Sequence, residues 1–84
     1  MDRLFHWAIL LQDVPGSAIK VGDRGVIVDE LPFSTVHQEL GYTIEVFQSG
    51  ETLDIVSVPA SWVKVLPEVW GQTEGATRSK AITN

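Results

Sequence analysis

The side chains in this sequence best able to do acid–base or metal chemistry are two histidines. His6 lies between Phe5 and Trp7 in an apolar segment, which favours a partly exposed strand residue over a catalytic base. His37 stands close to Glu39, but one imidazole and one carboxylate are too few for a metal site. No G-x-S-x-G motif or other nucleophile-bearing pattern occurs. The sequence predicts no catalytic residue, no metal site and no cofactor, and we interpret the chain as a non-enzyme.

A glycine-bounded segment, GDRG at residues 22–25, resembles a phosphate-binding loop only in its glycines. It lacks the lysine and the following helix that a P-loop needs, and the carboxylate of Asp23 would repel a phosphate. We therefore interpret Gly22 and Gly25 as turn and strand-bend residues.

Carboxylates are the first group that could form a binding surface. Four of them gather on one outer face if neighbouring strands pair: Asp29, Glu30, Glu45 and Asp54. Such a patch would recognise a basic partner. The alternative is a solvated face that only keeps the protein soluble.

Two phenylalanines are the second group. Phe47 has the opposite parity to Tyr42, Ile44 and Val46, so strand alternation predicts that it faces outward, where an exposed aromatic ring often marks a contact surface. The alternative is that strand curvature or a bulge turns Phe47 inward. Phe33 is the other candidate anchor, and together the two rings would line a groove for a peptide or a partner protein.

The elements that must position these residues are short strands. Residues 4–11 are an apolar run of strand length, and residues 25–31 are rich in valine and isoleucine. Between them, Pro15-Gly16 and Gly22-Asp23 predict two sharp turns. Residues 32–41, bracketed by Pro32 and Gly41, are predicted to be the longest connection and a mobile loop.

The clearest periodicity predicts an antiparallel hairpin. Residues 42–47 alternate between apolar and polar side chains, and residues 52–58 alternate again after a turn at 48–51. In the second of these strands, Leu53 and Ile55 are expected to share one face while Thr52 and Asp54 point away. Pro59 ends that strand, a short 3₁₀ turn follows, and residues 62–66 form the last strand.

Five short strands with these connections predict an all-β fold, a five-stranded SH3-like small barrel occupying residues 1–66. Gly25 would lie where a strand of such a barrel bends. An open, twisted meander is the competing fold. Residues 67–84 lack apolar periodicity and predict a disordered, flexible tail.

Composition and charge limit the classes of partner. The 84 residues include no cysteine and are 44% hydrophobic, as expected for a cytoplasmic protein held together by apolar packing alone. The net charge is −5, and because Glu68 and Glu74 balance Arg78 and Lys80, all of it falls on residues 1–66. Six scattered basic residues argue against nucleic-acid binding. The apolar run near Trp7 is too short to span a membrane.

Four segments in this order, LLQDVP, IKVGDRGVIVDEL, GYTIEVF and VPASWVKVL, resemble the domain-of-unknown-function 4926 family over residues 4–66. Residues 20–28 also resemble a KOW-type element and the start of the small barrels found in electron-transport accessory subunits and the nitrile hydratase β subunit. The resemblance implies an SH3-like barrel. Some members of the 4926 family look like the small partner in toxin–antitoxin or toxin–immunity gene pairs.

The resulting hypothesis is a protein-interaction module, with Phe33, Phe47, Glu45, Asp54 and Asp29 as candidate contact residues and a basic protein encoded by an adjacent gene as the partner. An accessory subunit docking on an electron-transfer or hydratase-type complex is the alternative. A KOW-like nucleic-acid binder is less favoured because of the charge. Homo-oligomerisation through an edge strand or the tail also stays open.

Overall fold

Five antiparallel strands and one 3₁₀ turn make up the part of the chain that the computed structural model describes, residues 2–71. In chain order they are β1 His6–Leu10, β2 Arg24–Ser34, β3 Glu39–Gln48, β4 Glu51–Pro59, the 3₁₀ turn Ala60–Trp62 and β5 Val63–Val69. They form one sheet in the order β4-β3-β2-β1-β5. This order, with a 3₁₀ turn before the last strand, confirms the all-β, SH3-like small barrel.

The core lies on the concave face of this sheet. Ile44 and Val46 of β3 are fully buried, as their alternation predicted. They pack with residues from every other strand: Ala8, Leu10, Ile27, Val58 and Val63. The predicted hairpin between β3 and β4 is also confirmed, and its turn residues Ser49 and Gly50 both have positive φ, as a type I′ turn requires.

The longest connection is the segment 11–23 between β1 and β2, and it folds back onto the barrel. Val14 and Ile19 are buried in the core, so this loop closes one end of it. The Ser17 N–H donates to the Val14 carbonyl at 3.2 Å, and Gly16 has φ +78°. These values confirm the predicted turn at Pro15-Gly16, in its type II form.

Gly25 of β2 lies opposite Val46 of β3, with no space for a side chain. A Cβ atom there would sit 2.5 Å from the Glu45 carbonyl oxygen and 2.6 Å from Cγ2 of Ile44. The expectation that this position requires a residue without a side chain is confirmed.

The predicted loop at 32–41 is wrong. β2 continues to Ser34 and β3 begins at Glu39, so only a tight turn joins them. Pro32 is tolerated because the register of the β2–β3 ladder shifts between Leu31 and Ser34, and a residue at such an irregularity need not donate an N–H to the ladder.

The face assigned to Ile55 is also wrong. The β3–β4 register shifts between Val46 and Phe47, and the extra residue in β4 is Leu53. Leu53 packs against the core, whereas Ile55 lies opposite Glu45 and is exposed. The extra residue changes the parity of the strand, so Leu53 and Ile55 cannot share a face.

The last strand is longer than predicted. β5 continues through Pro67 to Val69, which is compatible with a proline because β5 is at the edge of the sheet. The remainder of the predicted tail, from residue 72 onward, lies outside the described residues.

Candidate functional site

The two candidate anchor rings lie at opposite ends of the β2–β3 ladder. Phe47 pairs with Arg24 at the start of β2, whereas Phe33 lies near the other end, next to the Ser34–Glu39 pair. They therefore do not line one groove. Each belongs to a different surface.

Phe33 belongs to a two-stranded extension that we call the arm, residues 32–40. Within the described residues, β4 pairs with β3 only from Gly41 to Gln48, and β1 reaches no further along β2 than Val26. The arm strands consequently pair only with each other. Three large apolar side chains of the arm are exposed: Phe33 at 58%, Val36 at 84% and Leu40 at 58%.

Hydrogen bonds fix the shape of the arm. At its tip, the Gln38 N–H donates to the Ser34 carbonyl at 2.7 Å, and the Val36 and His37 N–H groups donate to the Ser34 hydroxyl at 3.2 Å. Next to this turn, the Glu39 carboxylate accepts from the N–H and the hydroxyl of Ser61, at 2.8 and 2.7 Å. The arm is thereby tied to the 3₁₀ turn, and its apolar side chains are presented in one arrangement.

A groove of about 430 Å³ runs beside the arm. Its lining is mainly apolar and includes Leu31, Pro32, Phe33, Leu40, Val58 and Pro59. His37 and Glu39 stand at its polar edge. The arm and this groove form a continuous apolar surface open to solvent, which is typical of a site of protein contact.

Phe47 belongs to the outer face of the sheet, as its parity predicted. Its ring packs against Trp7, with centroids 5.8 Å apart and planes tilted by 55°. Trp7 lies directly opposite Val26 in the β1–β2 ladder. Phe47 lies diagonal to Val26 in the β2–β3 ladder. Val26 is only 3% exposed although it is outside the core cluster. Phe47 is half-buried, and its diagonal position on the same face places it where its ring can shield Val26.

The four candidate carboxylates are spread over the surface instead of forming one patch. Asp29 lies on the outer face opposite Thr43, and the Glu45 carboxylate on the same face accepts from the Thr52 hydroxyl at 2.5 Å. Glu30 accepts from the backbone N–H of Arg3 at the base of the arm. Asp54 lies opposite Val46, a core residue, and accepts from the Ile55 N–H at 2.8 Å.

The two histidines lie in different parts of the fold. Nδ1 of His6 is 2.7 Å from the Leu66 carbonyl oxygen, so this ring links β1 to β5. His37 is exposed on the arm, with its ring centroid 6.5 Å from that of Trp62. Among residues 2–71, no group of three or more His, Asp or Glu side chains is placed to hold a metal ion.

Sequence reasoning missed the contribution of Val36, Leu40, Trp7 and Trp70 to these surfaces. A parity argument on β1 would have found Trp7, since it alternates with the buried Ala8. Val36 and Leu40 were missed because residues 32–41 were interpreted as a loop, for which strand parity predicts no face.

Comparisons of the chain with models of known protein families, with curated proteins and with solved structures gave no match. No helix in residues 2–71 has the length and apolar character needed to cross a bilayer. The fold and surfaces define the protein as a small SH3-like barrel that carries an apolar arm.

Proposed function

We propose that this protein is a non-enzymatic protein-interaction module and that its arm docks on a basic partner protein. The observation that carries the proposal is the exposure of Phe33, Val36 and Leu40 on an extension that pairs with no third strand among the described residues. A two-stranded ribbon gains little stability by itself in water. Three large apolar side chains at its surface add to stability only when another molecule covers them.

Charge supports a basic partner. The net charge of −5 falls on residues 1–66, and Asp29 and Glu30 lie at the base of the arm. An apolar contact with negative charge at its base fits a partner segment in which apolar residues are followed by lysine or arginine, and the charge accelerates their encounter.

The resemblance to the 4926 family supports a more specific form of this proposal. The partner would be a toxin protein encoded by an adjacent gene, and this chain would be its antitoxin or immunity protein. The lack of cysteine agrees with a cytoplasmic location. An accessory subunit docking on a larger complex is the second candidate, and the same arm surface fits that role because docking requires only a contact surface.

Co-expression tests the proposal. The chain is produced with the product of each neighbouring gene in turn, and the complexes are resolved by size exclusion with light scattering. An arm variant, F33S/V36S/L40S, is compared with a control, L11S/V21S/I55S, which replaces three apolar residues elsewhere that are each more than half exposed.

We expect the wild type and the control to elute with a partner and the arm variant to elute as a monomer. Failure of the wild type to form a complex with any neighbouring product would count against the proposal. If the arm variant still forms the complex, the partner must contact a surface other than the arm.

A further inference from the structure

A second surface lies at the other end of the ladder from the arm, around Trp7 and Phe47. Trp70 joins these two rings in lining an open hollow of about 680 Å³, which we call the aromatic hollow. Its other lining residues are Arg24, Ser49, Gly50 and Glu68. Trp70 is 54% exposed, so a large part of its ring is available to a ligand.

The backbone fixes the position of Trp70. Its N–H donates to the Phe5 carbonyl at 2.7 Å, and the N–H of Phe5 in turn donates to the Ile27 carbonyl at 2.6 Å. Phe5 has φ +67°, a conformation that non-glycine residues rarely adopt. The end of β5 is thus held against the start of β1, and the exposed indole has a defined place beside Trp7 and Phe47.

One cation already lies against these rings. The guanidinium carbon of Arg24 is 5.5 Å from the centroid of the Trp7 ring, within the distance at which a cation is attracted by the ring quadrupole. The described lining of the hollow also includes a carboxylate, that of Glu68 on β5, which lies on the other side of β1 from the Arg24 strand β2. Aromatic rings with a carboxylate are the groups that bind organic cations in water.

We propose that the aromatic hollow binds a cationic side chain of a partner, an ammonium or a guanidinium group, between Phe47 and Trp70 and near Glu68. The net charge of −5 favours the approach of a cation over that of an anion. Arg24 competes with the incoming cation, because its own charge occupies the face of Trp7. This site does not involve the arm, and its test is independent of the arm's partner.

The test uses two probes of the same shape and different charge. One is acetylated trimethyl-lysine amide, and the other is its neutral isostere, in which carbon replaces the ammonium nitrogen. Each is titrated into ¹⁵N-labelled protein while the three indole N–H signals are followed. Trp7 and Trp70 report on the hollow, and Trp62, the last residue of the 3₁₀ turn, serves as the internal reference.

We expect the cationic probe to shift the Trp7 and Trp70 signals to saturation, to leave Trp62 unchanged, and to bind about 2- to 30-fold more tightly than the neutral probe. Trp70→Leu and Glu68→Gln should weaken this binding, and Arg24→Gln should strengthen it by removing the competing cation. Phe33→Leu, in the arm, should leave it unchanged.

Equal affinities for the two probes would assign the hollow to a neutral apolar side chain and overturn the proposal. Absence of any shift at Trp7 and Trp70 with both probes would also overturn it. The dispersion of the backbone amide signals confirms that each variant is folded, and Trp70 is exposed enough that its replacement should not disturb the barrel.

Discussion

The carboxylate of Glu39 and the backbone and side chain of Ser61 form a two-point contact between the arm and the 3₁₀ turn, with hydrogen bonds of 2.8 and 2.7 Å. This contact joins the β3 strand of the arm to the segment that leads into β5. Because the carboxylate carries a charge, each of these hydrogen bonds is stronger than one between neutral groups.

Loss of this contact should loosen the arm. We expect Glu39→Ala to lower the free energy of unfolding by about 1–2 kcal/mol and to accelerate amide hydrogen exchange at residues 33–38. Ser61→Ala, which removes only the hydroxyl, should have a smaller effect in the same direction. Unchanged exchange in the arm of Glu39→Ala would show that the arm is held in place by its own ladder.

The two phenylalanines should respond differently to truncation. Phe47→Ala uncovers Val26 and removes the contact with Trp7, so we expect a loss of about 2 kcal/mol in the free energy of unfolding. Phe33→Ala removes an exposed ring and should stay within about 0.5 kcal/mol of the wild type. Urea denaturation of both variants measures the difference. Equal losses would contradict the separate placement of the two rings.

Glycine should be required at position 25 for steric reasons. Gly25→Ala places a methyl group against backbone and side-chain atoms of β3, and we expect it to cost about 3 kcal/mol. Gly50→Asn is the control, because position 50 has open space and a positive φ that asparagine tolerates, so its cost should be below about 1 kcal/mol. Thermal unfolding distinguishes them, and a mild effect of Gly25→Ala would mean that β2 and β3 can separate locally.

Asp54 should protect the edge of the sheet. Its carboxylate accepts the Ile55 N–H on β4, an edge strand, next to the exposed Ile55 side chain. Charged side chains on edge strands discourage pairing with another chain. We expect Asp54→Ala to self-associate more strongly than the wild type in sedimentation velocity across a wide concentration range. Glu51→Ala, the control, removes the same charge from the same strand and should not increase self-association. Equal self-association of the two variants would show that the net charge alone is responsible.

The β3–β4 hairpin, the burial of Ile44 and Val46 and the need for glycine at position 25 could all be predicted from the sequence. Each depends on local signals: strand parity, a turn with glycine, and a glycine within an apolar run. The same parity argument correctly predicted that Phe47 faces away from the core.

The arm and the face of Ile55 could not be predicted, since both depend on irregularities of register. Pro32 signals a loop when read locally, and only the shift in the β2–β3 ladder lets a strand continue through it. The extra residue at Leu53 reverses the parity of β4 in the same way. The prediction that the four carboxylates share one outer face failed for a related reason. Asp54 follows the extra residue Leu53 and lies opposite Val46, a core residue, instead of on the face of Glu45.

Docking through the arm is tested by amide hydrogen exchange of this chain, alone and in complex with the protein that co-purifies from the co-expression experiment. We expect binding to slow exchange at residues 33–40 and to leave the edge of β4, at residues 51–57, unchanged. Protection of the β4 edge with no change in the arm would contradict the assignment of the arm as the docking surface.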